Sequence, residues 1–519
     1  MKSINLTLLL QLLLLVTSSQ LFAQDDEIER PAEVNLTKSE AYPVVDASSK
    51  MYFRVAENQV LAVKQVKTGF IFQKFEGEQL NIKNTITEPF EFKKTNFKGI
   101  YNIDSKLVLM YSIYEKSQKT TSYYAQTINS ENGGFSSTPK LLLTIEKDIT
   151  SFNFDISADR KILAISYRYR PSIKDDSKNT DVFGVHVFDG ALNELWKSDL
   201  TMPQTESMMD NLDFSIDSEG NAYFLIRKFK EELNRSNRQD TDNQSIAFLI
   251  SNGDKALNEV EFSLGNNLVS TVVMKENPQG DIICAGYYRK PKSNGIDGAF
   301  VSVLDSKGNI SEPKFYEFSL DFIKKYQNIS ERAKKKMEKA EENDILSLRN
   351  LIMRDVRVLS DGSIVLAGEI FYVTTYTDSK GNTHTTYHYD DVIVVKINPD
   401  GELGWMEKCY KRSIFESFRL MTTDKNTYIL FSDYVSNASM TADGRSTSSS
   451  KGVYVTAHKF DNNTAERKYL PLFNLDKIDG IKVYQYALNR VVGLSDNSFA
   501  IELYIKKKSD MMFKVTFEE

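Results

Sequence analysis

SIVLAGEIF (residues 363–371), followed after a long polar stretch by DVIVVKIN (residues 391–398), is the phrase whose reading decides the fold. The first run is apolar on both parities near its centre, as a strand sandwiched between two layers must be. The second alternates, as a strand with one wetter side does. The same pair recurs along the chain. The first runs are QVLAVKQV (59–66), KLVLMYSIY (106–114), KILAISYRY (161–169), NAYFLIRKF (221–229), DIICAGYY (281–288), SIVLAGEIF, NTYILFSDY (426–434) and SFAIELYI (498–505). Their partners are GFIFQKFE (69–76), SYYAQTIN (122–129), VFGVHVFD (182–189), IAFLISNG (246–253), GAFVSVLD (298–305), DVIVVKIN, GVYVTAHKF (452–460) and MMFKVTFE (511–518). Strand-only repeats at a fixed period form the blades of a β-propeller.

A further strand and a tight turn precede each first run, as in VRVL-SDG-SIVL and VVGL-SDN-SFAI. Asp, Asn and Gly in such turns tolerate the positive φ that hairpins require. A fourth strand follows the alternating run, as in NELWKSDL and PKFYEFSL. The unit is therefore strand A, turn, strand B, loop, strand C, turn, strand D. Mean spacing is about 60 residues, above the roughly 40–50 of compact propeller repeats, and the excess lies in loops. The fold class is all-β, a propeller of four-stranded antiparallel blades.

Eight B–C pairs but only seven following D strands are present, because the chain ends just past the last C strand. The segment from Val34 to Asp46, with AEVNL and YPVVD, can supply the missing strand and remove an open edge. This favours eight blades. If the first and last units shared one blade, the ring would have seven.

Residues 321–351 break the pattern. Phe322, Tyr326, Ile329, Ala333, Met337 and Ala340 recur at spacings of three and four among Lys and Glu, which predicts an amphipathic helix inserted between two units. Ser330 and Asp344 are candidate N-caps. In an antiparallel blade the B–C and D–A connections share one face. The long B–C loops and this insertion therefore predict one elaborated face opposite a face of short turns, and binding usually resides on elaborated loops.

The N-terminus has Lys2, an apolar stretch from Leu8 to Val16 interrupted by Gln11, and Ala23 before Gln24. That predicts a signal peptide over residues 1–23, with one domain over 24–519. The expected location is outside the cytoplasm: periplasm, outer surface or extracellular. No later stretch reaches the roughly 18 apolar residues of a membrane helix, so no membrane insertion is expected. A formal net charge of −6 with 26% charged residues provides no basic field for nucleic acid. The two cysteines, Cys284 and Cys409, fall in different repeats and predict two separate buried thiols.

Nucleophile-elbow, zinc-protease, phosphate-loop and dinucleotide motifs are absent. DSEGN, DSKGN and NPDGE have too few carboxylates for a calcium loop and read as hairpin turns. His186 and His458 lie inside alternating strands, where the plain reading is a partly exposed strand residue. His384 and His388 lie in the longest B–C loop with Tyr376, Tyr387, Tyr389, Asp390 and Asp391. If this loop is a hairpin, His384, Thr386 and His388 share one side. No third metal ligand has a defined spacing, so neither metal nor cofactor is expected. These seven residues are the candidate ligand-binding set.

DVIVVKINPDGELGW carries Asp391, Lys396, Gly401 and Trp405 in the order Asp, alternating apolar residues, Lys, Gly turn, Trp. This stretch, within residues 362–411, resembles the repeats of secreted bacterial seven-bladed β-propeller proteins, and the other units match it loosely. The resemblance implies a propeller and export, with no activity attached. The function expected from the sequence is binding or scaffolding of a protein or carbohydrate partner through the elaborated face. The alternative is a propeller enzyme acting on carbohydrate, a lyase or glycosidase, which would need acids, Tyr, His or Arg converging near the ring axis.

Overall fold

The computed structural model describes residues 30–171, 176–233, 244–326, 331–343, 346–413, 416–434, 453–475, 477–505 and 508–518. Eight antiparallel sheets form a propeller. Blades 1 to 7 are strand meanders over 49–89, 95–145, 149–205, 209–262, 268–317, 351–409 and 419–474. Blade 8 takes Ser498–Ile505 and Ser509–Phe517 as its B and C strands, and its A strand is split into Val483–Gln485 and Val491–Ser495. Its outer strand is Val34–Lys38, paired from Lys38↔Phe513 to Val34↔Phe517, and Tyr42–Pro43 adds to the same strand. The ring thus has eight blades, not the seven of the repeats it resembles. The first unit has four strands of its own, so the N-terminal segment completes the last unit instead of merging the two.

B strands are buried on both faces, as their composition requires: Val60 to Val63 and Val365 to Ala367 have no exposed surface. The core therefore lies between blades. One cluster joins Val394 and Trp405 of blade 6, Leu430 and Val455 of blade 7 and Phe499 and Phe513 of blade 8. Gly368 allows a close approach of this kind, since a Cβ there would meet the Tyr287 hydroxyl at 2.5 Å. A strands line the axis, and those of blades 3, 4, 5 and 6 contact one another in sequence.

Asx geometry explains the repeated turns. Asp305 Oδ1 accepts from Lys307 N (2.9 Å) and Asn309 N (2.7 Å), and Gly308 supplies a φ of 85°. Asp217 accepts from Glu219 N and Asn221 N in the same way. The carboxylates that might suggest calcium are consumed by backbone donors.

Among its described residues the insertion holds two helices, not one over 321–351. Ser319 caps Leu320–Lys324 by accepting from Phe322 N at 3.2 Å, and a second helix covers Glu331–Glu342. Tyr326 stops the first piece with a φ of 64°. Arg467 Nη1 holds it there by donating to the Tyr326 hydroxyl at 2.7 Å. Leu320 and Ile323 are buried, whereas Phe322 and Met337 only pack at the margin of the blade 5–6 core. Ile329, Ser330 and Asp344 lie outside the described residues. Residues 349–350 are a turn, and strand A of blade 6 begins at Leu351.

The short-turn face is less uniform than the repeat suggests. The C–D connection of blade 2 spans residues 129–139 and sets Phe135 edge-on against Phe70 and Phe72 of blade 1. Cys284 and Cys409 are separate buried thiols, and burial pushes the Cys409 thiol up to about 12. His458 is not partly exposed. It is buried, accepts from Arg467 Nε at 3.0 Å and stays neutral because burial pushes it well below the usual histidine range.

The closing seam holds a buried ionic cluster. Glu502 of blade 8 accepts from Tyr42 (2.8 Å), Tyr52 (2.6 Å), Lys50 (2.7 Å) and Lys64 (2.5 Å). Lys50 also reaches Asp510 at 2.8 Å. Burial alone would raise Glu502, but Lys64 and Lys50 outweigh it and hold the carboxyl down to about 2. Deleting residues 24–48 should lower the thermal midpoint by several degrees. Glu502→Gln should cost roughly 3–5 kcal/mol in urea denaturation, because two buried ammonium groups would then have to share the Asp510 carboxylate. Unchanged midpoints in both variants would show that stability does not depend on this seam.

Candidate functional site

Strands B and C of blade 6, Ile364–Thr377 and Thr383–Ile397, outrun their neighbours. Within the blade they pair from Ile364↔Ile397 to Glu369↔Val392. A bulge between Glu369 and Phe371 re-aims them, and a second ladder runs from Phe371↔Tyr389 to Thr377↔Thr383. The outer sequences FYVTTYT and THTTYHY are rich in β-branched and aromatic residues, which suits strands without a core beneath them. Asp378 closes the tip, accepting from Lys380 N and Asn382 N at 2.9 Å each.

The register sorts the candidate residues onto two sides. On one, the Tyr372 and His388 rings stack at 4.5 Å, and Tyr376 and His384 stack at 4.8 Å. His388 Nε2 lies 2.8 Å from Thr374 Oγ1, and His384 Nε2 lies 3.1 Å from Asp378 Oδ2. His384 and Asn382 draw the Asp378 carboxyl down to about 2. The other side carries Phe371, Val373, Tyr387 and Tyr389, with Arg354 over the Phe371 ring at 5.1 Å and Lys411 over Tyr389 at 5.3 Å. Val373 is 45% exposed, Tyr376 61% and Tyr387 51%. Tyr376, His384, Tyr387 and His388 are therefore accessible along an arm and do not converge on a pocket. His384, Thr386 and His388 do share one side.

Asp390 and Asp391 belong to the base of the arm. Asp390 is hydrogen-bonded to Tyr372 and raised above the usual carboxylate range by burial. Asp391 is 1% exposed, pairs with Lys408 at 3.1 Å and also with Arg412. Beside it, Glu369 accepts from Lys411 (2.7 Å), Arg354 (3.0 Å) and Ser417 (2.8 Å). Burial pushes the Lys411 ammonium down, and Glu369 partly restores it. This network anchors the arm and is closed to ligand. No group of three or more His, Cys, Asp or Glu among the described residues could hold a metal ion.

A second cluster lies on the axis. Asp155 accepts from Ser215 Oγ at 2.7 Å and lies 3.4 Å from Lys275 Nζ. Asp213 accepts from Met274 N at 2.6 Å, and burial pushes its carboxyl up to about 6. Asn153 and Asn211 join them around a cavity of about 290 Å³ over Phe183, Phe214 and Phe224. An adjoining space of about 630 Å³ is lined by Ser157, Ala158, Pro278 and Ser360 of the A–B turns. It therefore belongs to the short-turn face, not to the loop face. The sequence reading missed these groups. Their signal was a polar residue repeated in strand A, as in FNFDIS, NLDFSID and VVMKE.

No protein-family model matches the chain, and no curated protein matches it. Some solved structures are similar to it. A polysaccharide lyase, Uly1, is similar at 10% identity over 95% of this chain and 100% of that one, with a TM-score of 0.38. An oligogalacturonate lyase in complex with manganese is similar at 10% identity over 93% and 99%, with a TM-score of 0.35. The propeller domain of the Trilobed protease from Pyrococcus furiosus, which has an open velcro topology, is similar at 10% identity over 81% and 98%, with a TM-score of 0.35. At these scores the likenesses carry no functional argument.

Two substitutions separate anchor from contact. Asp391→Ala should destabilise the protein by roughly 3–5 kcal/mol in urea denaturation, since Lys408 would remain buried and unpaired. Tyr387→Ala should stay within about 0.5 kcal/mol of the parent, as exposed positions do. Equal effects would overturn the division.

Proposed function

We propose that the protein is an exported binding or scaffold module that meets a protein partner on the loop face, chiefly through the blade 6 arm. One observation carries the reading: an arm of seven residue pairs, Phe371↔Tyr389 to Thr377↔Thr383, projects beyond the blade with exposed aromatic residues on both sides. Stacking across the ladder limits the rotamers of Tyr372, Tyr376, His384 and His388, so contact through them loses little side-chain entropy. Tyr376, His384, Tyr387 and His388 form the contact, with Tyr389, Asp390 and Asp391 supporting it from the base. Export rests on the apolar segment from Leu8 to Val16. No helix among the described residues is long and apolar enough to cross a membrane.

A photo-crosslinking residue placed at Tyr387 should capture a defined partner in the native envelope fraction. The same residue at Ser306, in the Asp305–Asn309 turn of the opposite face, should capture none. Capture at Ser306 alone would move binding to the short-turn face.

A second reading, an enzyme acting on carbohydrate, has the axial Asp155–Asp213–Lys275 cluster in its favour. A carboxyl raised to about 6, with a second carboxyl and an ammonium group beside it, can exchange protons with a sugar substrate. Asp213 has a raised folded pKa, so its contribution to stability is full below about pH 4 and is lost as pH rises through about 6. Asp213→Asn keeps an acceptor for Met274 N and removes the charge. It should stabilise the protein at pH 8 by on the order of 2 kcal/mol and abolish any polysaccharide cleavage. Absence of cleavage by the parent protein would remove the enzymatic reading, retained cleavage in the variant would remove Asp213 from it, and unchanged stability would remove the buried-charge argument.

A further inference from the structure

Among the described residues, the outer edge of the arm is an unfinished hydrogen-bond ladder. Tyr389 N donates to Ser413 O at 2.8 Å, and Ser413 N donates to Tyr389 O at 3.1 Å. This reciprocal pair shows that the Tyr389 backbone faces away from its hairpin partner. In an antiparallel ladder that orientation repeats at every second residue. Tyr387, Thr385 and Thr383 therefore present outward N–H and C=O groups. The strand order A to D runs from axis to rim, so this edge faces the rim, beyond the end of strand D at Cys409.

Edges elsewhere on this molecule are guarded. Each of the eight outermost blade strands carries at least one charged residue, Lys83, Lys140, Lys197, Glu259, Lys314 and Lys468 among them. Charge on an edge suppresses pairing with another chain. The arm reverses this pattern. FYVTTYT and THTTYHY contain no Lys, Arg, Asp, Glu or Pro.

We infer that two copies of this chain pair through the Thr383–Tyr387 edge, forming a continuous four-stranded antiparallel sheet across a two-fold axis. The inference deepens the proposed role of the arm by naming its partner as a second copy. The register follows from the three open rungs: Thr385 exchanges both backbone bonds with its own copy, and Thr383 exchanges them with Tyr387. Such a contact is self-complementary, as a two-fold interface must be. It sets Thr opposite Thr and Thr opposite Tyr, pairings that favour sheets, and opposes no like charges.

Sedimentation velocity of residues 24–519 from about 1 µM to about 1 mM should show a concentration-dependent dimer. Thr385→Lys places two ammonium groups across the axis and should raise the dissociation constant by at least roughly tenfold. Thr385→Glu should do the same. An equimolar mixture of the two should recover a heterodimer, which a merely misfolded arm would not. Thr385→Pro, which removes an outward N–H alone, should be monomeric with an unchanged thermal midpoint. A parent protein that stays monomeric, or a Thr385→Lys variant that dimerises undiminished, overturns the inference. Crosslinking of another protein at Tyr387 by a monomeric parent would leave the proposed function standing while overturning the self-pairing.

Discussion

Glu502 gathers two ammonium groups and two phenols onto one carboxylate at the point where the two ends of the chain meet. The ring depends on that arrangement. Ionised groups leave water at a cost of several kcal/mol each, so they are tolerated only when every partner is in place. A buried strand that is apolar on both faces has little alternation to define its register, and a one-residue slip would exchange one apolar side for another. A charge inside the strand removes that freedom, because only one register satisfies it. Related devices recur in other blades. Arg168 pairs with Asp181, which also accepts from Asn211 of the next blade. Arg227 pairs with Asp210. Glu369 of blade 6 reaches Ser417 ahead of blade 7.

The blade 6 cluster also sets where the arm begins. Up to Glu369 the strand is held between two blades. Beyond the bulge it leaves that layer, and aromatic pairs across the ladder replace the lost core. Arg354 serves both regions, since its guanidinium bonds Glu369 and lies over Phe371. The arm thus continues the rigid sheet instead of hanging from it as a loop.

The sequence made the blade pattern legible because B strands repeat their apolar runs and Asx turns repeat their Asp and Gly. The N-terminal contribution could be inferred by counting, since a missing outer strand leaves an edge. Side chains that meet across blades were harder to read. Asp391 looked like part of an accessible loop, yet Lys408 and Arg412 reach it from sequence after strand C, and nothing local reveals that burial. The insertion's spacing of three and four extended past the true end of its first helix, because Arg467, far along the chain, fixes Tyr326 in the left-handed region. The isolated Glu of SIVLAGEIF and SFAIELYI and the Lys of QVLAVKQV were the available signals of the seams. A lone charge in a doubly buried strand announces a partner without naming it.

Closure by an N-terminal strand imposes an order on folding. The amide of Met512 donates to the side chain of Ser39, 473 residues away. A ribosome must have made residue 512 before that bond can form. Blades 1 to 7 are each contiguous in sequence and can assemble as they emerge, whereas the segment that seals blade 8 must wait unpaired. Contacts so distant along the chain bear the largest loop-closure entropy and slow the final step. The meeting of Val34–Lys38 with Ser509–Phe517 is therefore a late event in building this molecule.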